Sequence, residues 1–349
     1  MAKSKKDIGK LILEYIRQQP RSSSRMIYDG LGHEVGYATV KREIQALLAA
    51  NLISAVGQGK ATRYEISKAY QLLYPLDLDT YFEKEIDERE IHEQFNHSLI
   101  RDILAFTSLF TQTEYEYLAT LQQTFSKNIS ALSETEFKKE FERLAIDLSW
   151  KSSQIEGNTY SLLETEKLLK DKETAAGKTK EEAIMLLNHK EALDFILEHT
   201  GYTQPLTTAG IEDIHSLLIK DLGVTRNIRN RRVGITGTNY RPLDNEFQIK
   251  EAIHDMCDIV NDRENVFEKA LLVLVLISYI QPFADGNKRT ARIISNAILM
   301  DHRYCPISFR TVDSIDYKKA MLVFYEQNNI SAFKKIFVEQ FAFAVGTYF

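Results

Sequence analysis

Residues 281–292, with the sequence Gln-Pro-Phe-Ala-Asp-Gly-Asn-Lys-Arg-Thr-Ala-Arg, combine residue types that can bind a phosphorylated ligand. The apolar run 270–280 leads into this segment, and a helical pattern follows it. Backbone N–H groups at the start of a helix lack partners, so a glycine turn beside them forms an anion site. Arg289 and Arg292 are three residues apart and project from one helix face. The segment therefore predicts a cradle for the phosphates of a nucleotide.

Asp285 is the one carboxylate of this turn, and it is placed to hold a divalent cation against the phosphates. A capped, solvated helix start would also explain Asp285 and Asn287. It does not explain two arginines, because the helix macrodipole disfavours cations at an N-terminus. The nucleotide interpretation accounts for all of these residues.

The same segment resembles the signature of the Fic (Fido) family, His-Pro-Phe-x-Asp/Glu-Gly-Asn-Gly/Lys-Arg-x-x-Arg. Members of that family transfer AMP from ATP to a hydroxyl side chain of a target protein. The resemblance implies ATP and Mg²⁺ as ligands and, as partner, a protein with a Ser, Thr or Tyr hydroxyl, or the chain itself. The residues that it assigns to the nucleotide are Asp285, Gly286, Asn287, Lys288, Arg289 and Arg292, with the metal at Asp285.

Gln281 is the one departure from the signature, and it lies where the family carries its catalytic histidine. Transfer to a hydroxyl requires a base that accepts the proton. A glutamine amide does not titrate, and it can only orient and hydrogen-bond. His215, His254 and His302 are not tied to the signature by spacing. The sequence therefore predicts a phosphate cradle whose catalytic base is missing.

Lys288 occupies a position at which the family has Gly or Lys, and Lys is typical of the Doc branch, which transfers phosphate instead of AMP. A solvated lysine in a first helical turn explains Lys288 equally well. AMP transfer and phosphate transfer both stay open on this residue.

Ser152-x-x-x-Glu156-Gly157 resembles the inhibitory motif that some Fic proteins carry before the core. The resemblance implies that Glu156 reaches Arg292 and occupies the place of the γ-phosphate. An enclosed carboxylate–guanidinium pair is strong and would remove the charge that grips the phosphate. Taken alone, Glu156 would be a helix-end residue on a solvated face.

Residues 230–242 are rich in Gly and β-branched residues and predict a small hairpin. Beside the signature, this segment resembles the Fic flap, an edge that pairs with an extended segment of the target by strand addition. The resemblance assigns that docking to the flap residues Val233, Gly234, Ile235, Thr236 and Gly237.

The first 68 residues carry twelve Lys or Arg against six Asp or Glu, although the whole chain has a net charge of −5. Their pattern of three helices and a basic hairpin resembles a winged helix-turn-helix. Such modules bind DNA or proteins, and the basic balance favours DNA. The residues predicted to contact DNA are Tyr37, Lys41, Arg42, Lys60 and Arg63.

The predicted fold is mainly α: a winged helix-turn-helix over residues 1–72, a linker over 73–90, and an all-α Fic-like domain with a small β-hairpin flap over 91–349. Capping boxes at Ser133–Glu136 and Ser161–Glu164 predict two helix starts. We expect a cytoplasmic protein without a membrane partner, because no signal peptide or long apolar stretch is present. The oligomeric state stays open.

Three functions are compatible with this sequence. The chain is an AMP-transferase held off by Glu156, a catalytically silent nucleotide-binding regulator whose head binds DNA, or an interaction scaffold with a vestigial pocket. ATP binding separates the third function from the other two. Transfer of labelled AMP separates the first from the second.

Overall fold

A computed structural model describes residues 7–33 and 35–349. It divides into two compact units. The first unit runs to Pro75 and includes Thr107–Tyr115, and the second comprises Leu76–Phe106 and Glu116–Phe349. Residues 1–6 and Glu34, which belong to the predicted winged-helix domain, lie outside the described residues.

The first unit contains the predicted three helices and one antiparallel hairpin. Apolar side chains of the three helices form its buried face, with Ile12, Ile27, Val40 and Ile44 at most 1% exposed. In the hairpin, Ile53 lies opposite Ile66. The elements are α1 (Ile8–Gln18), α2 (Ser24–Gly30), α3 (Tyr37–Ala49), β1 (Ile53–Val56), β2 (Arg63–Ile66) and α4 (Tyr70–Leu73).

The remaining helices are α5 (Leu78–Phe82), α6 (Gln112–Ala131), α7 (Glu134–Ile155), α8 (Leu162–Asp171), α9 (Lys180–Glu198), α10 (Thr208–Leu218), α11 (Glu246–Asp262), α12 (Val266–Ile280), α13 (Asn287–Asp301), α14 (Ser314–Gln327) and α15 (Ser331–Thr347). Short 3₁₀ turns lie at Gly59–Ala61, Ile86–Glu88 and Leu104–Phe106, and a π-helical segment lies at Leu99–Ile103. The predicted fold class, mainly α, is confirmed, and β1 and β2 form a small hairpin in the first unit. Within the described part of the chain, no helix is long and apolar enough to cross a bilayer.

The helix α12 is the centre of the second unit. Residues 270–280 are all buried, as expected for a helix that is apolar on every side. It packs along α13, and α11 and α14 also contact it. The loop between α12 and α13 is thereby fixed at both ends by buried helices.

Both predicted capping boxes are present, at the starts of α7 and α8. At its other end α7 stops before Gly157, whose φ of 102° is in the left-handed region that favours glycine. This stop makes Glu156 the residue that caps the C-terminus of α7.

The prediction of a hairpin over 230–242 is wrong. All of these residues are described, and they form no strands paired with each other; among the described residues, the paired strands are β1 and β2. The segment is irregular with a turn at 236–237, and it is held by other elements instead. The N–H of Arg241 donates to the carbonyl of Glu93 (2.8 Å), and the guanidinium of Arg89 donates to the carbonyl of Gly237 (2.9 Å).

Arg89 belongs to the stretch predicted as a linker, residues 73–90, but its side chain is only 3% exposed. It pairs at 3.2 Å with the carboxylate of Glu326 in α14, which is fully buried. The hydroxyl of Tyr81 donates to the same carboxylate at 2.6 Å, and burial together with that bond raises the pKa of Tyr81. These contacts attach residues 81–89 to α14 and to the flap segment.

Candidate nucleotide-binding site

The side chain of Asn287 holds the loop 281–286 at both ends. Its Oδ1 accepts from the N–H of Phe283, and its Nδ2 donates to the carbonyl of Phe283, both at 2.9 Å. The same Nδ2 donates to Oε1 of Gln281 at 2.9 Å. Gln281 has a φ of 51° and ends α12, so the chain reverses there before α13 begins.

The first turn of α13 presents open backbone donors. Gly286 is its N-cap residue. Among the described residues, no side chain caps this end of the helix. A Cβ on Gly286 would lie 3.3 Å from Ile219 and 3.4 Å from the ring of His215, and the φ of 82° also favours glycine. The N-terminus of α13 therefore has the geometry of an anion site.

A cavity of about 400 Å³ lies in front of this helix end, within the range of small-ligand sites. It brings together the end of α7, the flap segment, the loop and α14. Its lining residues are Ile155, Glu156, Val233, Gly234, Ile235, Thr236, Gln281, Ala284, Asp285, Gly286, Asn287, Lys288, Tyr317, Lys318, Met321, Leu322 and Tyr325. Four predicted flap residues are in this set, but Gly237 is not.

The two arginines of the signature are buried beneath the site, with side chains 1% and 0% exposed for Arg289 and Arg292. Arg289 donates to the carbonyl of Leu218 (3.3 Å) and to the carboxylate of Asp285 (3.2 Å). Arg292 donates through Nε to Oγ of Ser152 (2.8 Å) and through Nη2 to the Ser152 carbonyl (3.0 Å). Each guanidinium is thus fixed by a neighbouring helix.

Glu156 lies between two cations. Its Oε1 is 2.8 Å from Nη2 of Arg292, and its Oε2 is 3.0 Å from Nζ of Lys288. Burial opposes ionisation of this carboxyl, but the charges of Arg292 and Lys288 outweigh it and lower the pKa of Glu156 to about 2. The contact with Arg292 is the one that the resemblance implied, whereas the contact with Lys288 was missed.

Gln281 uses both ends of its amide inside the loop. Nε2 donates to the carbonyl of Ser278 at 2.6 Å, while Oε1 accepts from Asn287. The side chain lines the cavity, and the residue is 9% exposed. It therefore shapes the loop, and it offers no group that can take a proton at neutral pH.

His215 and Arg229 also support the loop, although the spacing of the sequence ties neither of them to it, because only the folded chain brings them together. The ring of His215 stacks on Phe283 with a centroid distance of 3.6 Å, and its Nε2 lies 2.9 Å from the carbonyl oxygen of Asp285. Burial lowers the pKa of His215 to about 4, so the ring is neutral at pH 7. Arg229 donates to the carbonyl of Gln281 at 2.6 Å.

The other two histidines of the sequence lie elsewhere. His254 is 70% exposed beside Asp258 on α11, and His302 follows the end of α13. Neither lines the cavity.

Asp285 has the exposure expected of a residue that binds a ligand, with 66% of its side chain accessible. Across residues 7–33 and 35–349, no group of three or more His, Cys, Asp and Glu residues could hold a metal ion. A Mg²⁺ ion at Asp285 would therefore take most of its oxygen ligands from phosphates and water, as Mg²⁺ commonly does. The open N–H groups and Asp285 fit a nucleotide with its metal.

The residues predicted to contact DNA belong to the first unit. Lys41, Arg42 and Lys60 are exposed, and the side chain of Arg42 is 75% exposed. Tyr37 is half-buried, and its hydroxyl forms a hydrogen bond with Ser24 at 2.8 Å. Arg63 is half-buried and donates to the carbonyls of Lys60 and Thr62. Lys41, Arg42 and Lys60 therefore present charged side chains to solvent, and Arg42 also contacts the carboxylate of Glu43 at 3.4 Å.

Residues 205–299 match the family model described as the Fic/DOC family. A curated relative, Protein adenylyltransferase Fic of Nematostella vectensis, is 32% identical over 174 residues, which cover 48% of this chain and 40% of that protein. Protein adenylyltransferase fic-1 of Caenorhabditis elegans is 27% identical over 176 residues, which cover 48% and 34%. The match thus spans well under half the length of these relatives.

Solved structures show the same fold. A segment of Fic-1 from C. elegans superposes with a TM-score of 0.59 at 20% identity, covering 68% of this chain and 72% of that one. A Fic family protein from Desulfovibrio desulfuricans G20 gives a TM-score of 0.57 at 19% identity, covering 68% and 74%.

The low pKa of Glu156 predicts how stability responds to acid. Because the pKa lies near 2 in the folded chain and its ordinary value is 4.5, the ionised carboxylate stabilises the fold above pH 4.5. This contribution is lost as the pH falls from 4.5 towards 2, and at neutral pH it is on the order of 3 kcal/mol. In urea unfolding from pH 7 to pH 3, the native chain should lose stability relative to Glu156→Gln below about pH 4.5. Parallel curves for the two proteins would contradict this.

Proposed function

Because residues 205–299 form a Fic/DOC domain, we propose that they bind ATP at the N-terminus of α13, in a protein of the adenylyltransferase type. The observation that carries the proposal is the carboxylate of Glu156, held 2.8 Å from Arg292 at the edge of the cavity. A carboxylate in that position occupies the site of an anionic ligand group. We propose that Glu156 inhibits nucleotide binding in this way.

Different residues of the site would bind the phosphates and the metal of the nucleotide. Backbone N–H groups of α13 and the guanidinium of Arg289 bind phosphate oxygens, and Arg292 does so once Glu156 has moved away. Asp285 would hold a Mg²⁺ ion that neutralises those oxygens. When bound, ATP would supply an AMP group for transfer to a hydroxyl, with pyrophosphate as the leaving group.

Gln281 limits the activity, because the hydroxyl proton has no acceptor at its position. We propose that the native chain transfers AMP slowly or not at all. The hydroxyl would come from a Ser, Thr or Tyr of a target protein, or from the chain itself. The names of the two relatives support AMP transfer as the reaction type.

A second function rests on the exposed charges of the first unit. Lys41 and Arg42 project from α3, and Lys60 lies in the turn between β1 and β2. This arrangement supports a winged helix that binds DNA. In that case the chain is a catalytically silent regulator that binds ATP and DNA.

ATP binding is the first prediction of this proposal. Glu156→Gly should bind ATP with Mg²⁺ at least about tenfold more tightly than the native chain, since Arg292 gains a free position for phosphate. Isothermal calorimetry measures the two affinities. Glu134→Gln on the exposed start of α7 is the control and should not change ATP affinity. Absence of binding to Glu156→Gly at millimolar ATP would overturn the proposal.

Gln281 provides the second prediction. If only the proton acceptor is missing, Gln281→His combined with Glu156→Gly should transfer labelled AMP to itself or a partner. A general base is worth about 10²–10⁴-fold, so labelling should exceed that of the native chain by at least the lower figure. Gln281→Ala with Glu156→Gly is the matched control and should stay unlabelled. No gain from the histidine variant would sink this claim, and strong labelling by the native chain would show that glutamine is no obstacle.

DNA binding is the third prediction. Replacing Lys41 and Arg42 together by Gln should weaken binding to duplex DNA and reduce the slope of log affinity against log salt by about two, because each phosphate contact releases counterions. Lys138 and Lys139 on α7, changed to Gln together, remove equal charge and should leave the slope unchanged. If the affinity changes neither with salt nor with the substitution of Lys41 and Arg42, the first unit binds a protein partner instead. Fluorescence anisotropy at several salt concentrations measures these slopes.

A further inference from the structure

Lys288 forms the second contact of Glu156, and neither the signature nor the spacing of the sequence predicts that contact. Each oxygen of the carboxylate faces a different cation, Oε1 to Arg292 and Oε2 to Lys288. The Lys288 side chain is 25% exposed, so it is not the freely solvated lysine of an ordinary first helical turn. It lines the cavity together with Glu156.

The electrostatic surroundings explain why Lys288 needs an anion. Lys288, Arg289 and Arg292 all lie in the first six residues of α13, at the positive end of its macrodipole. Within the part of the chain that the structure describes, these three cations pair with two carboxylates, those of Glu156 and Asp285. When Glu156 leaves, Lys288 and Arg292 both lose their carboxylate partner in a partly desolvated site, and an incoming anion can take its place.

We infer that Lys288 is a two-state residue: it locks Glu156 in the closed site, and it binds the terminal phosphate of a nucleoside triphosphate once Glu156 is displaced. This inference rests on the proposed ATP function. A phosphate group offers at least two oxygens, as the carboxylate does, so it can meet both cations at once. A diphosphate whose last phosphate stops short of the Glu156 position gains nothing from Lys288. The residue therefore selects for triphosphates.

Two measurements on the full chain test the two states. Without nucleotide, Lys288→Met should raise the pKa of the Glu156 carboxyl, followed by ¹³C NMR, because one of its two neutralising charges is gone. With nucleotide, Lys288→Met in the Glu156→Gly background should weaken ATP binding by about tenfold and ADP binding less than twofold, as judged by calorimetry. In the native background the loss of ATP affinity should be smaller or reversed. Lys288→Met there removes the contact that holds Glu156 in the site as well as the contact with the phosphate.

The control is Lys318→Met in the Glu156→Gly background, which removes an equal charge from the lining of the same cavity. It should change ATP and ADP affinities in parallel. An ATP-to-ADP ratio that Lys288→Met leaves unchanged overturns the triphosphate role, and an unchanged Glu156 pKa overturns the lock. If Glu156→Gly binds no ATP at all, the proposed function fails together with the phosphate role. ATP binding without an effect of Lys288 overturns this inference alone.

Discussion

Two guanidinium groups buried at the start of α13 are the constraint on which the second unit depends. A buried charge is tolerated only when it is paired and hydrogen-bonded. Arg289 and Arg292 therefore require partners from outside their own helix, and they find them at the C-terminal ends of α10 and α7. These bonds fix the ends of α7 and α10 against the start of α13, and the cavity lies beside the ends of α7 and α13.

Gln281 helps to hold the loop between α12 and α13 without a titratable group. Its amide completes a network with Ser278 and Asn287 that keeps the loop in shape. Those bonds need a donor and an acceptor but no titratable group, so glutamine fulfils them. The shape of the loop is thus held by a residue that cannot take a proton at neutral pH.

The sequence predicts those parts of the fold that depend on residues close together in the chain. Capping boxes, the left-handed Gly157 and the apolar run of α12 are local patterns, and their helices are present. The contacts of His215 and Lys288 join residues 70 and 132 positions apart, so no local pattern indicates them. The flap segment failed as a hairpin because its β-forming composition does not fix a partner, and its backbone bonds go to Glu93 and Arg89 instead.

The buried pair of Arg89 with Glu326 determines where the chain can be cut. A fragment that starts at residue 91, where composition places the helical domain, would lose both Tyr81 and Arg89. Glu326 would then be a fully buried carboxylate without its cation. Removing one partner of a buried ion pair strongly destabilises a fold, because it leaves an uncompensated buried charge. The carbonyl of Gly237 would lose its donor as well. A fragment that starts at Leu76 retains these groups, so this ion pair favours a start fifteen residues earlier than composition suggests.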